Sequence, residues 1–531
     1  MTTRNPRAKA LHILFGTTIL LSGCSVSESG TRPAATKRPS FAGIWVERSG
    51  KPNKASRDAI ALLLAAPADG LDSTFYGAPE LAARARALTD SSPPRKDAVT
   101  EFDTTLTRSM LTFLRDLHLG RVDPRRTGFE LKPRKETHDV EVILRAAADR
   151  NAVDQLVNEL RPSIAQYGRL REALGRYRLL ADSAAAWTAL PTVRRAVKPG
   201  ARYAGLATVA ARLAALGDLP SSDLGRVNPS VYAPPLVAGV IRFQGRHGLE
   251  PDGLLTPATI TALDVSPAER RRQLALSLER LRWLPDLDTG RVVLVNIPTF
   301  HLWAWDVGGG ETSPALDMRV IVGTGAFNRQ TPVFVDEMRY LVFRPYWDIP
   351  PGITKNEIIP AMQKDRSYLA RHDMEVVPVS GGGTADQRDL GGIEDGRLRV
   401  RQRPGAQNAL GLVKFIFPND ENVYLHGTPQ DELFAKARRD FSHGCVRVEQ
   451  PVELAEWVLR GVPGWDQTTV LDAMHGEASK RVNLAAPVRV ILFYTTAMAE
   501  QDGTVSFYED IYDHDPRLLE AMETAPRHEG G

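Results

Sequence analysis

The stretch that decides the C-terminal fold reads Ser442-His443-Gly444-Cys445-Val446-Arg447, and Val423-Tyr424-Leu425-His426-Gly427-Thr428 precedes it along the chain. Cys445 is one of 2 cysteines in 531 residues, and the other, Cys24, lies near the N-terminus. A disulfide between them is not expected. A lone thiol with a histidine upstream indicates a nucleophile that is paired with a base.

The upstream stretch has the alternation of a β-strand. Val423 and Leu425 alternate with Tyr424 and His426, which places Tyr424 and His426 on one face of the strand. A cysteine attacks as the thiolate, and an unperturbed thiol has a pKa of about 8.5, so it needs a neighbouring base at neutral pH. His426 is predicted to be that base.

The residues next to Cys445 predict the rest of a reactive turn. Gly444 permits a tight turn in which the backbone N–H groups of His443, Gly444 and Cys445 converge on a developing oxyanion. Arg447 is a candidate for binding a substrate carboxylate with two hydrogen bonds, although a structural role explains it nearly as well.

Length and charge limit the number of domains and the classes of function that are expected. A chain of 58.4 kDa exceeds a single hydrophobic core, and about 150 residues per domain predicts roughly three domains. Lys and Arg number 67 and Asp and Glu 64, which gives a net charge of +3. Because nucleic-acid binding requires a strongly basic face, that class of function is not expected.

The N-terminus has the pattern of a secretory signal. Three basic residues precede an apolar run at 11–21 that is too short to span a membrane comfortably, and the run ends in Leu21-Ser22-Gly23-Cys24. This end resembles a bacterial lipobox, which implies a diacylated Cys24 and a membrane anchor. Ser25 after it implies the outer membrane of a Gram-negative cell. An uncleaved anchor helix is the alternative, and both interpretations predict a periplasmic protein.

The residue spacing and the turn signals along the sequence predict the domain order. Residues 57–219 have helical spacing, 236–263 indicate two short helices joined by an Asp-Gly turn, and strand-like runs begin near residue 291. His118, at the end of a predicted helix, is expected to pack or to cap. The predicted domains are a signal at 1–24, a tether at 25–40, a helical scaffold at 41–225, a small helical domain at 226–268, a helical connector at 269–290, a mainly β catalytic domain at 291–480 with an insertion at about 349–412, and a C-terminal strand and tail at 481–531.

The two motifs together resemble the signature of the L,D-transpeptidase (YkuD-type) catalytic domain. Segments such as Leu281-Arg282-Trp283-Leu284-Pro285 agree with it. The 236–263 unit resembles the small peptidoglycan-binding module, except that Thr256 replaces a usual glycine. The large scaffold-bearing subfamily is thereby indicated. Its implied fold class is α+β multidomain, with a YkuD-like sandwich or barrel that carries an inserted capping subdomain.

The resemblance also implies a reaction. Cys445 attacks a meso-diaminopimelate carbonyl in a donor stem peptide and releases D-alanine, and the acyl group then passes to an amine, which makes a 3→3 crosslink. His426 acts as base and is oriented by the backbone carbonyl of Gly427. The implied partners are peptidoglycan stem peptides and glycan, without a metal or cofactor, and the protein is expected to be a monomer. The expected substrate-binding residues are Tyr424, Arg447, Ser442 and Trp347.

Other functions remain open at this point. Water in place of the acceptor amine gives an L,D-carboxypeptidase, and a wall-binding lipoprotein that merely retains the motif is a non-catalytic alternative. A zinc site built from His426, His443 and Cys445 is disfavoured because no CxxC or HExxH partner accompanies them. Papain-type peptidases place cysteine before histidine, the reverse of the order here.

Overall fold

The computed structural model describes residues 43–183, 187–287, 289–308, 313–326, 329–380, 383–387 and 389–524. The chain separates into the units Met1–Phe41 and Ala42–Gly531, and every element below belongs to the second. The predicted signal, tether and lipidated Cys24 lie outside the described residues. Within the described ranges, no helix combines the length and the apolarity needed to cross a membrane.

The N-terminal region is helical, as its spacing predicts. Phe102, Leu106, Met110, Phe113 and Leu117 recur three or four residues apart and are all buried along one face of the longest helix. This face forms the centre of the helical layer. The helices are α1 (Lys54–Leu64), α2 (Ala78–Asp90), α3 (Lys96–Leu119), α4 (Val140–Asp149), α5 (Val153–Leu160) and α6 (Ala165–Ser183).

A second helical cluster follows. Val240, Phe243 and Leu263 are buried in its core, as the sequence predicts. Thr256, which departs from the glycine usual in the peptidoglycan-binding module, caps the helix that follows it, because its hydroxyl accepts a hydrogen bond from the N–H of Thr259 at 3.1 Å. The helices are α7 (Leu206–Ala215), α8 (Pro234–Arg246) and α9 (Pro257–Asp264).

Helix α10 (Pro267–Arg282) joins the helical part to the sheet. It begins with a capping box, in which Ser266 and Glu269 exchange hydrogen bonds. Leu274 and Leu278 pack in one apolar cluster with residues of α6 and of the sheet. Arg282 is buried and donates to the hydroxyl of Tyr167 on α6 at 2.9 Å. The Leu281–Pro285 motif therefore serves packing between domains rather than chemistry.

The C-terminal part is built on a nine-stranded mixed sheet with the order β10-β3-β11-β9-β8-β4-β12-β1-β2. Because β2 also pairs with β3, eight of these strands close into a barrel, and β10 extends from β3. The strands are β1 (Gly290–Asn296), β2 (His301–Val307), β3 (Leu316–Gly323), β4 (Phe334–Phe343), β5 (Trp347–Asp348), β6 (Met374–Pro378), β7 (Leu398–Gln402), β8 (Val413–Ile416), β9 (Leu425–His426), β10 (Asp440–Ser442), β11 (Val446–Val448), β12 (Lys480–Phe493), β13 (Ala497–Ala499) and β14 (Val505–Phe507).

The segment between β4 and β8 forms a separate layer with its own core. Its three strands have the order β5-β7-β6, and Ile349, Ile359, Val376 and Val400 are buried together beside them. Buried Asn408 closes the base of the insertion by donating to the carbonyl of Pro345 at 3.1 Å. Its helices are α11 (Pro351–Ile353), α12 (Ile359–Lys364), α13 (Tyr368–Arg371) and α14 (Leu390–Glu394).

The C-terminal residues belong to the barrel. The sequence sets 481–531 apart as a strand and tail, yet β12 lies between β4 and β1 and pairs with both. Its long alternating run supplies inward residues that the barrel core needs, so the end predicted at 480 divides one sheet. The remaining helices are α15 (Pro451–Leu459), α16 (Gln467–His475) and α17 (His514–Thr524).

Candidate active site

Three adjacent strands bring basic residues into one row. His426 on β9 pairs with Lys414 on antiparallel β8 and with Arg447 on parallel β11. Directly paired residues share a face of a sheet, so these three side chains lie side by side. Residues far apart in sequence are thereby assembled next to Cys445, which directly precedes β11.

His426 is held as a neutral imidazole. Its side chain is buried, and the Nδ1–H donates to the carbonyl of Gly427 at 2.6 Å, which leaves Nε2 as the acceptor. Burial, together with the positive charges of Arg447 and Lys414, lowers the pKa of His426 to about 3. The ring is therefore uncharged at neutral pH.

The position of His426 depends on a close backbone approach. Gly411 has a φ of +63°, and a Cβ at this position would lie 2.6 Å from the carbonyl carbon of Gly427 and from the nitrogen of Thr428. Only glycine lets the end of the insertion pass so close to the histidine strand. Gly411 has no signal in the sequence, because this constraint arises from a neighbouring strand.

Cys445 is half-buried and carries a neutral thiol. Its Sγ donates to the carbonyl of Asn422 at 3.8 Å and has no recorded hydrogen bond to His426 within the described structure. Burial raises the pKa of the Cys445 thiol, and hydrogen bonds from Tyr424 and the charges of Lys414 and Arg447 only partly oppose that effect. The resting pair is thus a thiol and an imidazole rather than a thiolate and an imidazolium.

The turn before Cys445 is held by hydrogen bonds between its own residues. Gly444 has a φ of +118°, which favours glycine. The hydroxyl of Ser442 accepts the N–H of Gly444 at 3.2 Å and donates to the carbonyl of Cys445 at 2.5 Å. Ser442 is buried and its hydroxyl makes both of these bonds, while its contact with substrate stays a prediction. The Gly444 N–H, which the sequence predicts to be an oxyanion donor, is bonded to Ser442 in this structure.

The direction of the Cys445 N–H is set by a contact between Thr331 and the turn. Thr331 donates from its hydroxyl to the carbonyl of Gly444 at 2.8 Å. A trans peptide points its N–H opposite to its C=O, so the Cys445 N–H is directed away from Thr331. Among the described residues, neither Cys445 nor His443 has a recorded acceptor for its backbone N–H. Both remain available to an oxyanion.

Tyr424 and Lys414 form a pair beside the thiol. The Lys414 ammonium lies 5.4 Å from the centre of the Tyr424 ring. Burial lowers the pKa of Lys414, whereas burial and the nearby Cys445 raise the pKa of Tyr424. Tyr424 is therefore a protonated hydroxyl and serves as a donor to sulfur. Lys414 was missed by the sequence analysis because only the pairing of β8 with β9 places it here.

Arg447 keeps unused donors next to Cys445. One Nη donates to the amide oxygen of Gln430 at 2.7 Å, and the buried Nε has no partner within the described structure. Burial lowers the pKa of Arg447, and the nearby Cys445 opposes this shift. A half-buried guanidinium with a free N–H favours an incoming carboxylate.

The side chain of His443 contacts the insertion. Its Nε2 lies 2.7 Å from Oε1 of Glu357, and that oxygen also accepts from Arg329 at 2.8 Å. These three residues, here called the Glu357 bridge, join the insertion to the catalytic turn. Trp347 lies on β5 and packs against the core of the insertion, without a recorded contact to Cys445 or His426 in the described structure.

The geometry is not that of a zinc site. His443 is bonded to Glu357 and His426 to Gly427, so the two rings point to different partners. In the described part of the chain, the group of side chains close enough to hold an ion is His118, Glu136 and His138, in the helical region. The zinc alternative at Cys445 therefore fails on geometry.

These observations place a cysteine immediately before one strand of a closed barrel and a buried histidine on the adjacent strand. Residues 290–470 match the family model of the L,D-transpeptidase catalytic domain, YkuD. Residues 37–174 match a scaffold domain, and residues 202–263 match a model described as “Putative peptidoglycan binding domain”. Along the chain, a region similar to a scaffold domain is therefore followed by one similar to a peptidoglycan-binding domain and by one similar to the YkuD L,D-transpeptidase catalytic domain.

Individual proteins also match. A Haemophilus influenzae protein named “Putative L,D-transpeptidase” is 35% identical over 260 residues, which cover 46% of this chain and 49% of the relative. The chain thus spans about half the length of that curated relative. Two solved L,D-transpeptidase structures each match over 57% of this chain. The one from Xylanimonas cellulosilytica is covered over 100% of its length, with 16% sequence identity and a TM-score of 0.18. The one from Stackebrandtia nassauensis is covered over 97% of its length, with 14% sequence identity and a TM-score of 0.22.

Proposed function

We propose that this protein is a peptidoglycan L,D-transpeptidase that forms 3→3 crosslinks through a thioester on Cys445. One observation carries the proposal. A half-buried thiol lies beside a row of basic side chains that includes a buried neutral imidazole, His426, held by its own strand. Such a row suits a substrate that bears carboxylates next to the carbonyl under attack.

Acylation begins from the neutral pair. As Sγ of Cys445 turns from the Asn422 carbonyl and attacks the diaminopimelate carbonyl, its proton passes to Nε2 of His426. The developing oxyanion accepts from the N–H groups of Cys445 and His443. The imidazolium then protonates the departing amine of D-alanine, the C–N bond breaks, and a thioester remains.

Substrate binding adjusts the base. The charges of Arg447 and Lys414 contribute, after burial, to the low pKa of His426. A substrate carboxylate placed between them offsets both charges, so the pKa of His426 rises when the donor stem is bound. The enzyme thereby gains a stronger base only in the complex, and the free thiol stays protected.

In the second half-reaction the acyl group passes from Cys445 to the acceptor, and His426 again first accepts and then returns a proton. The acceptor amine loses a proton to His426 as it attacks the thioester, a new amide forms, and the thiolate of Cys445 regains a proton from the imidazolium. Water in place of the amine yields the tripeptide product of an L,D-carboxypeptidase. The insertion, tied to the turn through the Glu357 bridge, is suited to decide which nucleophile enters.

The setting of the enzyme forms part of the proposal. A peptidoglycan-acting protein works in the cell envelope, and we place this one in the Gram-negative periplasm as a monomer anchored by a lipid on Cys24, with the outer membrane favoured. The domain limits expected from the sequence are retained, except that the barrel continues through β12. The peptidoglycan-binding domain would hold glycan while the barrel engages stem peptides.

Muropeptide analysis tests the proposal. Peptidoglycan rich in tetrapeptide stems is incubated with the wild-type protein, with Cys445→Ala, and with Ser479→Ala as a control on the same domain outside the site. We expect 3→3 dimers with the wild type and the control, and none with Cys445→Ala. Dimers at equal yield with Cys445→Ala contradict the proposal. If the wild type makes tripeptide but no dimer, and Cys445→Ala makes neither, the activity is that of the carboxypeptidase instead.

A further inference from the structure

Three metal-ligating side chains meet in the helical region, about which the proposed reaction says nothing. His118 lies one residue before the end of α3, and Glu136 and His138 lie on the extended segment that leads into α4. One ligand atom from each of the three residues lies within 4.8 Å of the others. The sequence favoured a packing or capping role for His118, because Gly120 and Pro124 mark the end of its helix.

We propose that His118, Glu136 and His138 form a binding site for a divalent transition-metal ion, with zinc the best match. Two imidazoles and one carboxylate are a recurrent three-ligand set for zinc and leave a fourth position for water. This site is independent of the proposed transpeptidase activity.

The ring of His118 is already oriented as a ligand. Its Nδ1 lies 3.2 Å from the carbonyl oxygen of Leu160, at the end of α5. Metal-ligating histidines commonly donate their second N–H to a backbone carbonyl, which fixes both the ring and its tautomer. Nε2 of His118 is thereby left with its lone pair for an ion.

The segment that carries Glu136 and His138 is held by hydrogen bonds on both sides. Arg134 donates to the carbonyl of His118 at 3.0 Å and to both carboxylate oxygens of Asp286 at 2.7 and 2.8 Å. Asp139 caps α4 by accepting the N–H of Val142 at 3.2 Å. Glu136 and His138 are therefore held near His118 before any ion binds. Asp286 also neutralises the nearest arginine, which would otherwise repel a cation.

The distance between the ligand atoms of Glu136 and His138 fits a small tetrahedral ion. Nδ1 of His138 lies 3.4 Å from Oε1 of Glu136. Two ligands about 2.1 Å from a tetrahedral zinc ion lie about 3.4 Å apart. The rings of His118 and His138 meet edge to face with centroids 5.4 Å apart. Glu136 and His138 are exposed, so an ion reaches the site directly from solvent.

A bound ion would join the end of α3 to the start of α4. Because the three side chains converge only in the folded chain, the ion binds the native state and stabilises it in proportion to the logarithm of its free concentration. The site thus stabilises the scaffold domain when the metal ion is bound.

Zinc binding to the full-length chain tests this inference. All variants carry Cys24→Ala and Cys445→Ala, which together remove both thiols of the chain. Titration calorimetry and equilibrium dialysis are carried out on the parent, His138→Ala and Glu136→Gln. The matched control is His475→Ala, an exposed histidine at the end of α16. Circular dichroism verifies that each variant is folded, and cobalt absorption reports the coordination geometry.

We expect one zinc ion per parent chain, with tetrahedral cobalt bands and a zinc-dependent rise in Tm. His138→Ala and Glu136→Gln should each weaken binding by more than about tenfold, since even outer-shell changes at zinc sites cost about that much. His475→Ala should bind like the parent. Equal affinity in His138→Ala and the parent, or no zinc uptake by the folded parent, overturns the proposal.

Discussion

Thr331 donates its hydroxyl hydrogen to the carbonyl of Gly444 at 2.8 Å, and the same hydroxyl accepts the N–H of Gly323 at 2.9 Å. The N–H of Thr331 donates in turn to the hydroxyl of Tyr512, which lies near the C-terminus. One threonine therefore links β3, the catalytic turn and the C-terminal segment. Its effect on Cys445 operates through the direction of the Gly444–Cys445 peptide.

Replacing Thr331 should impair acylation more than stability. In Thr331→Val the Gly444 carbonyl loses its donor, so the Cys445 N–H is no longer aimed at the oxyanion. Loss of one oxyanion donor costs about a hundredfold in rate, whereas one hydrogen bond contributes only about 1 kcal/mol to stability. Mass spectrometry of the acyl-enzyme over time measures the rate, and thermal unfolding measures stability. Thr331→Ser keeps the hydroxyl and should acylate nearly normally; equal losses in both variants would contradict this role.

Alkylation of Cys445 should titrate above the ordinary thiol pKa. Burial raises the pKa of Cys445, and His426 stays neutral over the working range because its own pKa is about 3. The thiolate population therefore rises only in alkaline solution. Iodoacetamide labelling between pH 5 and 11, read by mass spectrometry in the absence of substrate, measures the midpoint. A midpoint well below that of a free thiol would indicate a thiolate–imidazolium pair and refute the neutral resting state.

Lys414→Met should shift two pKa values in the same direction. The Lys414 charge lowers the pKa of Cys445 and that of His426, so its loss should raise both. Loss of the cation should also raise KM for stems that carry a carboxylate, by about tenfold if one charge-assisted hydrogen bond is lost. Lys480→Met is the matched control, since Lys480 also lies over an aromatic ring, that of Trp465 at 4.7 Å. A KM unchanged in Lys414→Met would exclude contact with substrate.

Gly411→Ala should displace the base. The new Cβ would lie 2.6 Å from backbone atoms of Gly427 and Thr428, and a left-handed alanine costs roughly 1–2 kcal/mol before any clash. We expect a lower Tm and a loss of acylation together. Gly405→Ala lies in the same segment with open space around its Cβ, and it should leave both unchanged. If Gly411→Ala acylates at the wild-type rate, the close approach does not position His426.

Glu357→Gln should loosen the insertion without unfolding the protein. Glu357 and Arg329 are both partly exposed, so their ion pair contributes about 1 kcal/mol or less. Hydrogen exchange should become faster in α11 and α12, and the ratio of hydrolysis to transfer should change because the Glu357 bridge no longer ties the insertion to His443. Glu394→Gln, an exposed acid on α14, is the control. Unchanged exchange and product ratio in Glu357→Gln would mean that the bridge has no part in gating.

Much of the fold follows from local pattern. The 3.6-residue spacing of Phe102 through Leu117 predicts α3, and strand-like apolar runs predict β1 and the second half of β12. The α+β class with a YkuD-type barrel is confirmed by the sheet and by the family match. The end placed at residue 480 divided one sheet, because strand pairing between distant segments leaves no trace in local periodicity.

The sequence by itself determined which residues are candidates for chemistry, since a lone cysteine, a histidine on a strand and a glycine turn have few other uses at that spacing. Only the tertiary structure decided how they act. Lys414 reaches the site through strand pairing, and Thr331 reaches it through a hydrogen bond from a loop. The Ser442 hydroxyl is bonded within the turn, and burial keeps the thiol and the imidazole neutral. Each of these effects depends on distance and solvent exclusion, which are properties of the folded chain and not of neighbouring residues in sequence.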